Sequence, residues 1–431
     1  MVSESAEAER SVAVGDELVL DVTTVAHGGV FIARLAGRVV FVSDTAPGER
    51  VRARVVEGSK RSFLRAETVE VLEASPHRRP HVWPEAGHER AGLARAGGAE
   101  FGHLELSYQR SLKEAVVADA LRRLGGLDEA QSRVRVEALP GDDEAGGLGW
   151  RTRVRLHVDE EGRVGPYSAR SRRVVPVGSL PLASEAVRAA APLTARLPGA
   201  LWVDVVAPSE GEALVLRRDG GPAAGRGEAQ PDAVIVERVG GRAFRVSAGG
   251  FWQVHRQAAQ TLSGAVRAAV DPERLDPAAA NLDLYGGVGL LGAALGELGG
   301  PGTRLTSVES DARATELAGE NLAEWVGSRA VSARVDRFLA QLERTASAAE
   351  RERLARATVV LDPPRAGAGR DVMDALGRLG PAQIVYVACD PAAFARDLAY
   401  LAEHGYRPET IRGFDLFPHT HHVELVARLG R

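Results

Sequence analysis

The sequence has very little cysteine and very little lysine. Cys389 is the only cysteine in 431 residues, which excludes an intramolecular disulfide framework and any zinc or iron–sulfur site built from several cysteines. Lys60 and Lys113 are the only lysines, so arginine carries nearly all of the positive charge. The net charge is −4 and the pI is near 6.3, a balance that does not by itself indicate a nucleic-acid partner.

Long apolar runs are also missing. No stretch is long and apolar enough to span a bilayer, and the acidic, polar segment 1–10 is unlike a signal peptide. We therefore expect a soluble, cytoplasmic protein that does not contact membranes and acts as a monomer. The chain length predicts two or three domains.

Two apolar, β-branched runs near the C-terminus end in turn residues. One run precedes Asp362-Pro363-Pro364-Arg365, and the other precedes Cys389-Asp390-Pro391. Each pattern predicts a buried strand that ends in a loop, which is where α/β enzymes place their chemistry. A lone cysteine is most often a small core residue, but Cys389 follows its strand instead of lying within it. Its thiol is therefore a candidate nucleophile.

The N-terminal part alternates in short β-like segments separated by glycine and proline turns. The segments 16–23, 29–34, 38–43, 50–57 and 63–72 predict a small barrel of the OB type. Basic residues follow these strands, against a single acid, Glu57; they are Arg50, Arg52, Arg54, Lys60, Arg61 and Arg65. They form either a face for RNA phosphates or a strand edge protected by charge.

The middle of the chain predicts a helix over 108–124 and then strands over about 150–246. A second set of arginines outnumbers the acids at 159–161; it comprises Arg151, Arg153, Arg155, Arg163, Arg170, Arg172 and Arg173. The glycine- and proline-rich stretch 219–231 predicts a flexible loop.

From about residue 248 strands and helices alternate. We predict a strand over 281–285, a glycine turn, a helix over 290–298, a strand over 303–309 and a helix over 312–325, which together indicate a doubly wound α/β domain. The glycine turn satisfies G-x-G-x-x-G from Gly287 to Gly292, and Glu309 lies at the spacing of a ribose-binding acid. This motif alone fits either a nicotinamide cofactor or S-adenosylmethionine (SAM).

Five stretches occur in an order that resembles the RNA uracil-5 methyltransferase family. They are Phe251-Trp252-Gln253-Val254, Asn281-Leu282-Asp283-Leu284-Tyr285-Gly286-Gly287-Val288-Gly289, the two loops that begin at Asp362 and Cys389, and Phe417-Pro418-His419-Thr420-His421-His422-Val423-Glu424. The resemblance implies SAM as cofactor and RNA as partner. The substrate is then a uridine C5, in large-subunit rRNA or alternatively in tRNA.

The resemblance also implies three domains. They are a TRAM-like, RNA-binding OB barrel over 12–75, a central mixed domain over 76–247 that cradles RNA, and a Rossmann-like SAM-dependent methyltransferase domain over 248–431. The α/β fold is thus combined with a β-barrel.

Residue roles follow from the same resemblance. Cys389 would add to C6 of the uracil and Glu424 would remove the C5 proton. The positions matching SAM contacts are Gln253, Tyr285, Glu309, Asp336 and Asp362, with Asp336 near the adenine. Each carboxylate could instead cap a helix or satisfy a turn. His419, His421 and His422 are interpreted as solvated loop residues, and Arg365 as orienting the loop or a phosphate, or as a structural salt bridge.

Several positions depart from the family pattern. Ala99 stands where some relatives carry a cluster cysteine, so no iron–sulfur cluster and no metal is expected, and His77, His81, His88 and His103 have no regular ligand spacing. Leu290 replaces a frequent polar residue, and Gly286 a frequent cysteine. Asp390 replaces the usual asparagine; its carboxylate should raise the pKa of the neighbouring thiol unless Arg365 or a backbone amide offsets it.

Two other functions stay open from the residues. An amino-methyltransferase acting on a purine also uses an Asp-Pro-Pro loop, although an aromatic residue usually follows the prolines where this chain has Arg365. A non-catalytic RNA-binding protein with a degenerate catalytic domain is the other alternative.

Overall fold

The computed structural model describes residues 12–58, 62–90, 93–169, 171–220 and 233–431. Its N-terminal part is a closed barrel of five strands, β1 (Glu17–Ala26), β2 (Val30–Leu35), β3 (Arg38–Ser43), β4 (Arg50–Glu57) and β5 (Phe63–Glu73), in the order β1-β2-β3-β5-β4. Side chains alternate between the inside and the surface, so Leu20, Val22, Phe31, Val40 and Leu64 fill the interior. The predicted barrel is confirmed, with strand ends within a few residues of the predicted ones.

The arginines of the barrel do not form a face of excess positive charge in the described residues. Arg52 pairs with Glu70 at 2.7 Å, and Arg54 pairs with Glu17 at 2.9 Å. The other pairs are Arg50 with Asp21 and Glu73, and Arg65 with Glu57. The partners stand on neighbouring strands, where cross-strand pairing brings opposite charges together. Of the two interpretations of these arginines, the ion pairs favour the strand edge protected by charge. Lys60 and Arg61 lie outside the described residues.

A helix and a mixed β region follow the barrel. The helix α1 (Leu106–Arg123) begins two residues earlier than predicted, and it is followed by the short strand β6 (Val136–Glu137). A four-stranded sheet has the order β10-β9-β7-β8, formed by β7 (Arg153–Val158), β8 (Val164–Gly165), β9 (Ala200–Val206) and β10 (Leu214–Asp219). It carries the helix α2 (Glu185–Ala190), and a hairpin follows, formed by β11 (Val234–Val239) and β12 (Arg242–Ser247).

Arginines of this sheet are also balanced by acids. Arg155 holds Asp204 through two hydrogen bonds of 2.7 and 2.8 Å, and Arg153 reaches the buried Glu237 at 3.3 Å. Arg170 and the part of the predicted loop from 221 onward lie outside the described residues.

The C-terminal part alternates strands and helices. Its helices are α3 (Ala258–Ala269), α4 (Leu290–Gly299), α5 (Ala312–Asn321), α6 (Val335–Thr345), α7 (Ala348–Ala355), α8 (Arg370–Leu379) and α9 (Pro391–Glu403). Its strands are β13 (Asn281–Leu284), β14 (Arg304–Glu309), β15 (Gly327–Ser332), β16 (Thr358–Leu361), β17 (Gln383–Ala388), β18 (Arg407–Phe414) and β19 (Glu424–Gly430).

These strands form one eight-stranded sheet in the order β15-β14-β13-β16-β17-β19-β18-β6. The strands from β15 to β17 are parallel, and β19 is inserted antiparallel between β17 and β18. Helices cover both faces, so every residue of β13, β16 and β17 is buried. This double burial explains the continuous apolar runs 359–361 of β16 and 384–388 of β17.

Two features of this sheet were not anticipated. The strand β6 joins its edge, and Val117, Leu121 and Val136 pack in the same core as β16 and β17, so part of the segment before the central sheet packs with the C-terminal part. The helix predicted over 312–325 ends at Asn321, because the chain turns there to bury Trp325 against Gly296, where an added Cβ would lie 2.5 Å from the indole. No helix in the described ranges is long and apolar enough to cross a membrane.

Candidate active site

Strand register brings the candidate residues to one edge of the large sheet. Leu284 pairs with Val308 on one side and with Leu361 on the other, so the next residue, Tyr285, lies between Glu309 and Asp362. This edge is also where the strand order reverses, between β13 and β16, which is the usual ligand crevice of an open α/β sheet.

The antiparallel strand β19 completes the edge. Ala388 pairs with Leu425, so the residue after one and the residue before the other, Cys389 and Glu424, face each other at the strand ends. A thiol and a carboxyl group that are 35 positions apart in the sequence are thus neighbours because β19 runs against β17.

A cleft of about 1640 Å³ opens at this edge. All seven residues predicted for the site line it; they are Gln253, Tyr285, Glu309, Asp336, Asp362, Cys389 and Glu424. The walls come from the central sheet as well as from the C-terminal part, since Arg151, Arg155 and Trp202 also border the cleft.

The glycine loop forms one end of the cleft. Gly287 and Gly289 have φ angles of +54° and +90°, and an added Cβ at Gly287 would meet no atom within 4 Å, so the backbone there is open to a bound group. Glu309 accepts hydrogen bonds from the amides of Gly287, at 3.2 Å, and Asp311, at 2.8 Å, which fixes its carboxylate beside the loop. Tyr285 has φ of +59°, a strained conformation for a side chain of this size.

Asp336 lies at the far wall on the first turn of α6. Arg334 donates two hydrogen bonds to it, at 3.1 and 2.8 Å, and these bonds lower its pKa. Its carboxylate borders the cleft and is held in place by Arg334, which lines the same cleft.

The cleft carries groups that suit the parts of SAM. Open glycine backbone and a fixed carboxylate suit the ribose and amino-acid portions of such a nucleoside, and the acids at the other end suit a positive sulfonium. Leu290, found where relatives often have a polar residue, is mostly buried in the core and offers the cleft an apolar surface.

Carboxyl groups crowd the reacting end. Burial and the nearby Asp283 raise the pKa of Asp362 to about 7, and burial raises that of Asp283 to about 6. Burial, followed by the charge of Asp362, raises the pKa of Glu424 well above its ordinary value. Burial therefore shifts each of these three carboxyl groups toward its protonated form.

The Cys389 thiol shares this environment. Burial, then the charges of Glu424 and Asp362, raise its pKa to about 12, while the Arg365 guanidinium acts in the opposite direction. Asp390 also raises it, as predicted from the sequence, but less than the other groups do. The Asp390 side chain accepts a hydrogen bond of 2.8 Å from the Ala393 amide, which caps α9.

Comparison with known proteins agrees with this architecture. A family model described as tRNA (Uracil-5-)-methyltransferase matches residues 341–431, and a TRAM domain model matches residues 12–69. An uncharacterized RNA methyltransferase of Streptomyces coelicolor is 40% identical over 96% of this chain and 93% of its own length. One from Bifidobacterium longum is 36% identical over 94% of this chain and 95% of its own length. The chain belongs to the RNA uracil-5 methyltransferase family.

A solved structure supports the fold of this RNA methyltransferase. The Pyrococcus abyssi tRNA (uracil-54, C5)-methyltransferase in complex with S-adenosyl-L-homocysteine covers 95% of this chain and 99% of its own, with a TM-score of 0.67 and 22% identity. The predicted family, the barrel with an α/β methyltransferase domain, and an RNA methyltransferase that uses SAM are thus confirmed.

The histidines of the loop in this methyltransferase were misjudged. His419 is 2% exposed: its amide donates to Gln109, its Nδ1 meets the Gln109 amide nitrogen at 3.0 Å, and its Nε2 lies 2.8 Å from the Gly146 carbonyl. His421 and His422 are half-buried and contact Glu100 and Arg365, at 3.4 and 3.2 Å. The loop 417–422 packs against α1 through Gln109, so these histidines hold the loop in place instead of facing solvent.

The four histidines that precede α1 take different environments. His81 and His103 are buried and contact the carbonyls of Ala99 and Thr45, at 3.1 and 2.9 Å. Across the described ranges, no group of three or more histidine, cysteine, aspartate or glutamate side chains has the arrangement of a metal site.

Sequence reasoning missed several residues of the methyltransferase site. Asp283 is buried and accepts a hydrogen bond of 3.0 Å from Ser307, and a carboxylate inside an apolar strand just before the glycine loop was the signal that could have found it. Glu100 and Arg151 line the cleft too, but neither carries a sequence signal, because each reaches the site only through tertiary packing.

Proposed function

We propose that this protein methylates C5 of a uridine in structured RNA, with Cys389 as nucleophile and Glu424 as base. The observation that carries the proposal is the register of β17 and β19, which sets the thiol opposite the carboxyl group at the mouth of the cleft. C5 of uracil is a poor nucleophile until a thiolate adds at C6, and a base is needed afterwards to remove the C5 proton. The two residues supply these two requirements.

The bonds change in a definite order. The Cys389 thiol gives its proton to solvent, and its sulfur forms a bond to C6 while the C5–C6 double-bond electrons move toward C5 and O4. C5 would then bond to the methyl carbon as the bond from that carbon to the sulfonium sulfur of bound SAM breaks. Glu424 accepts the C5 proton, the electron pair restores the C5–C6 double bond, and the bond from sulfur to C6 breaks. SAM supplies the methyl group and, in its sulfonium, a positive charge.

The charges around the thiol must favour each step. Arg365 is the cation that lowers the pKa of Cys389 and Glu424, and we assign it the role of favouring the thiolate and the ionised base. Because burial raises the pKa of both groups, the reaction gains from any positive charge brought into the cleft.

The cofactor residues form the second part of the proposal. Glu309 and the open glycine backbone would hold the ribose, Tyr285 and Asp362 the central portion, Asp336 the region of the adenine, and Gln253 the opposite wall. All five line the cleft. Domain limits at 12–75, 76–247 and 248–431, action as a monomer and a cytoplasmic location belong to the same proposal.

Two RNAs are candidate substrates. Large-subunit rRNA is the first, because a TRAM-like barrel is more typical of the rRNA-modifying branch. The second is tRNA, which is named for the Pyrococcus abyssi neighbour, whose chain matches this one across the barrel as well. The barrel therefore does not discriminate between them, and the experiment must include both RNAs. The target base must leave its stack to reach Cys389, so a looped-out uridine is expected.

The test is covalent trapping with 5-fluorouridine. Fluorine at C5 cannot leave as a proton, so the proposed mechanism stalls as a covalent complex that survives denaturation. Purified protein with SAM is incubated with 5-fluorouridine-containing tRNA or large-subunit rRNA transcripts, and Cys389→Ala is the control. An adduct that is absent from the control supports the nucleophile, and the RNA that forms it is the substrate.

The other outcomes contradict the proposal. Methyl transfer to a purine without an adduct would indicate an amino-methyltransferase, and tight binding of RNA with no methyl transfer to either transcript would indicate a non-catalytic RNA-binding protein.

A further inference from the structure

A turn of the N-terminal barrel reaches the loop of the proposed nucleophile. His27 lies between β1 and β2, and its Nε2 is 2.9 Å from Oδ2 of Asp390, the residue after Cys389. The two residues are separated by 363 positions in the sequence, so the contact exists only because the barrel packs on the C-terminal part.

The same turn also meets the loop that leads to Glu424. An added Cβ at Gly29 would lie 2.9 Å from Nδ1 of His421. Behind the nucleophile, a cavity of about 120 Å³ is enclosed between the turn and the two loops. The titratable groups that border it are His27, Lys113, Arg365, Cys389, Asp390, His421 and His422. The barrel thus forms the rear wall of the reacting site.

The negative charges near the Cys389 thiol oppose its ionisation, so a nearby positive charge would favour the thiolate. Glu424, Asp362 and Asp390 all oppose thiolate formation, and Arg365 is the cation that favours it. Asp390 is the one of these acids whose pKa is lowered, and a histidinium bound to it offsets its negative charge. The hydrogen bond that His27 donates to Asp390 raises the pKa of His27, which favours the charged imidazole, and the pKa of Asp390 is lowered because His27 and the Ala393 amide outweigh its burial.

We propose that His27 is a positioning residue of the barrel that binds Asp390, fixes the Cys389 loop and offsets the negative charge next to the thiol. Asp390 accepts from the Ala393 amide with one oxygen and meets His27 with the other, so both of its oxygens are engaged. This inference rests on the proposed role of Cys389, and it gives the barrel a part in the reaction besides contact with RNA.

Alkylation of the thiol tests the inference without RNA or SAM. Cys389 is the only cysteine, so the rate at which the full-length chain takes up iodoacetamide, followed by intact mass, reports this residue alone. The pH profile is recorded for the wild type, His27→Ala, Asp390→Asn and the double variant. Asparagine is as good an N-cap as aspartate, so Asp390→Asn should keep α9 capped.

The expected rates follow from thiol chemistry. A rise of one in the thiol pKa cuts the thiolate fraction about tenfold but strengthens its nucleophilicity about threefold, for a net loss of about threefold. Below the raised pKa of His27, where its imidazole is charged, we expect His27→Ala to react more slowly than the wild type, by about threefold for each unit by which the thiol pKa rises, and above that pKa the two rates should converge. We expect Asp390→Asn to react faster than the wild type and the double variant to match Asp390→Asn.

A second histidine provides the matched control. His77 contacts Glu105 at the same distance, 2.9 Å, and borders neither cavity, so His77→Ala should leave the alkylation profile unchanged. The inference is overturned if His27→Ala alkylates like the wild type. It is also overturned if His27→Ala slows the reaction equally in the Asp390→Asn background, since the loss would then come from displacement of the barrel and not from the charge. The alkylation assay contains no RNA, so its result can be interpreted even if the trapping experiment fails.

Discussion

The buried pair of Lys113 and Asp415 offers the sharpest stability prediction. The two side chains are 0% and 1% exposed, and Nζ lies 2.5 Å from Oδ1 of Asp415 and 3.1 Å from the Phe417 carbonyl. The pair ties α1 to the loop that leads to Glu424. Lys113→Met keeps a similar volume and an apolar stem but leaves the carboxylate without its cation.

The size of the loss can be worked out from this geometry. Removing one partner of a buried pair costs about 3–5 kcal/mol, because the remaining charge has no compensation. The second Asp415 oxygen already lacks a hydrogen-bond partner among the described residues, so no other group can take over. The loss of unfolding free energy cannot exceed the cost of protonating the unpaired carboxylate. For an ordinary aspartate that cost is about 4 kcal/mol at pH 7 and about 1.5 kcal/mol at pH 5.

Urea unfolding, followed by tryptophan fluorescence and far-UV circular dichroism at pH 7 and pH 5, measures the effect. We expect Lys113→Met to lose about 4 kcal/mol at pH 7 and clearly less at pH 5, and Lys113→Met with Asp415→Asn to recover most of the loss. Arg133→Met, which breaks an exposed pair with Glu129, is the control and should change little. A loss that is as small as in the control, or equal at the two pH values, would refute the reasoning.

Three further predictions concern the reaction. Glu424→Gln should still form the covalent adduct on unmodified RNA but release product about 10²–10⁴-fold more slowly, because proton removal is lost; normal turnover would exclude Glu424 as the base. Single-turnover methylation by the wild type should rise with pH, since the pKa of Glu424 is raised and the base acts only when ionised; a rate that is level from acidic to alkaline pH would contradict this. Gly286→Ala should weaken SAM binding, measured by calorimetry, because the added Cβ would lie 2.1 Å from the Ser307 hydroxyl and 2.5 Å from Asp283. Unchanged affinity would show that these two side chains move aside. Gly264→Ala is the control, because no atom lies within 4 Å of a Cβ added there.

The sequence by itself determined most of the strands and helices and the site residues that lie within short motifs. Apolar runs that stop at Asp362 and Cys389 marked two buried strands, because a strand covered on both faces is apolar at every position. Short segments with alternating apolar and polar residues indicated the strands of the barrel, because only one face of each is buried. The motifs around Tyr285 and Glu424 indicated the family, since their residues are adjacent in the chain.

Only the tertiary structure decided which charges meet. The sequence left open whether the barrel arginines face phosphates or protect a strand edge, and in the structure Arg50, Arg52, Arg54 and Arg65 pair with carboxylates on neighbouring strands. His419 was expected in solvent, but α1 covers it through Gln109. The contact of His27 with Asp390 joins residues at opposite ends of the chain. Such pairings depend on how separate elements pack, and local sequence patterns carry no information about a partner hundreds of residues away.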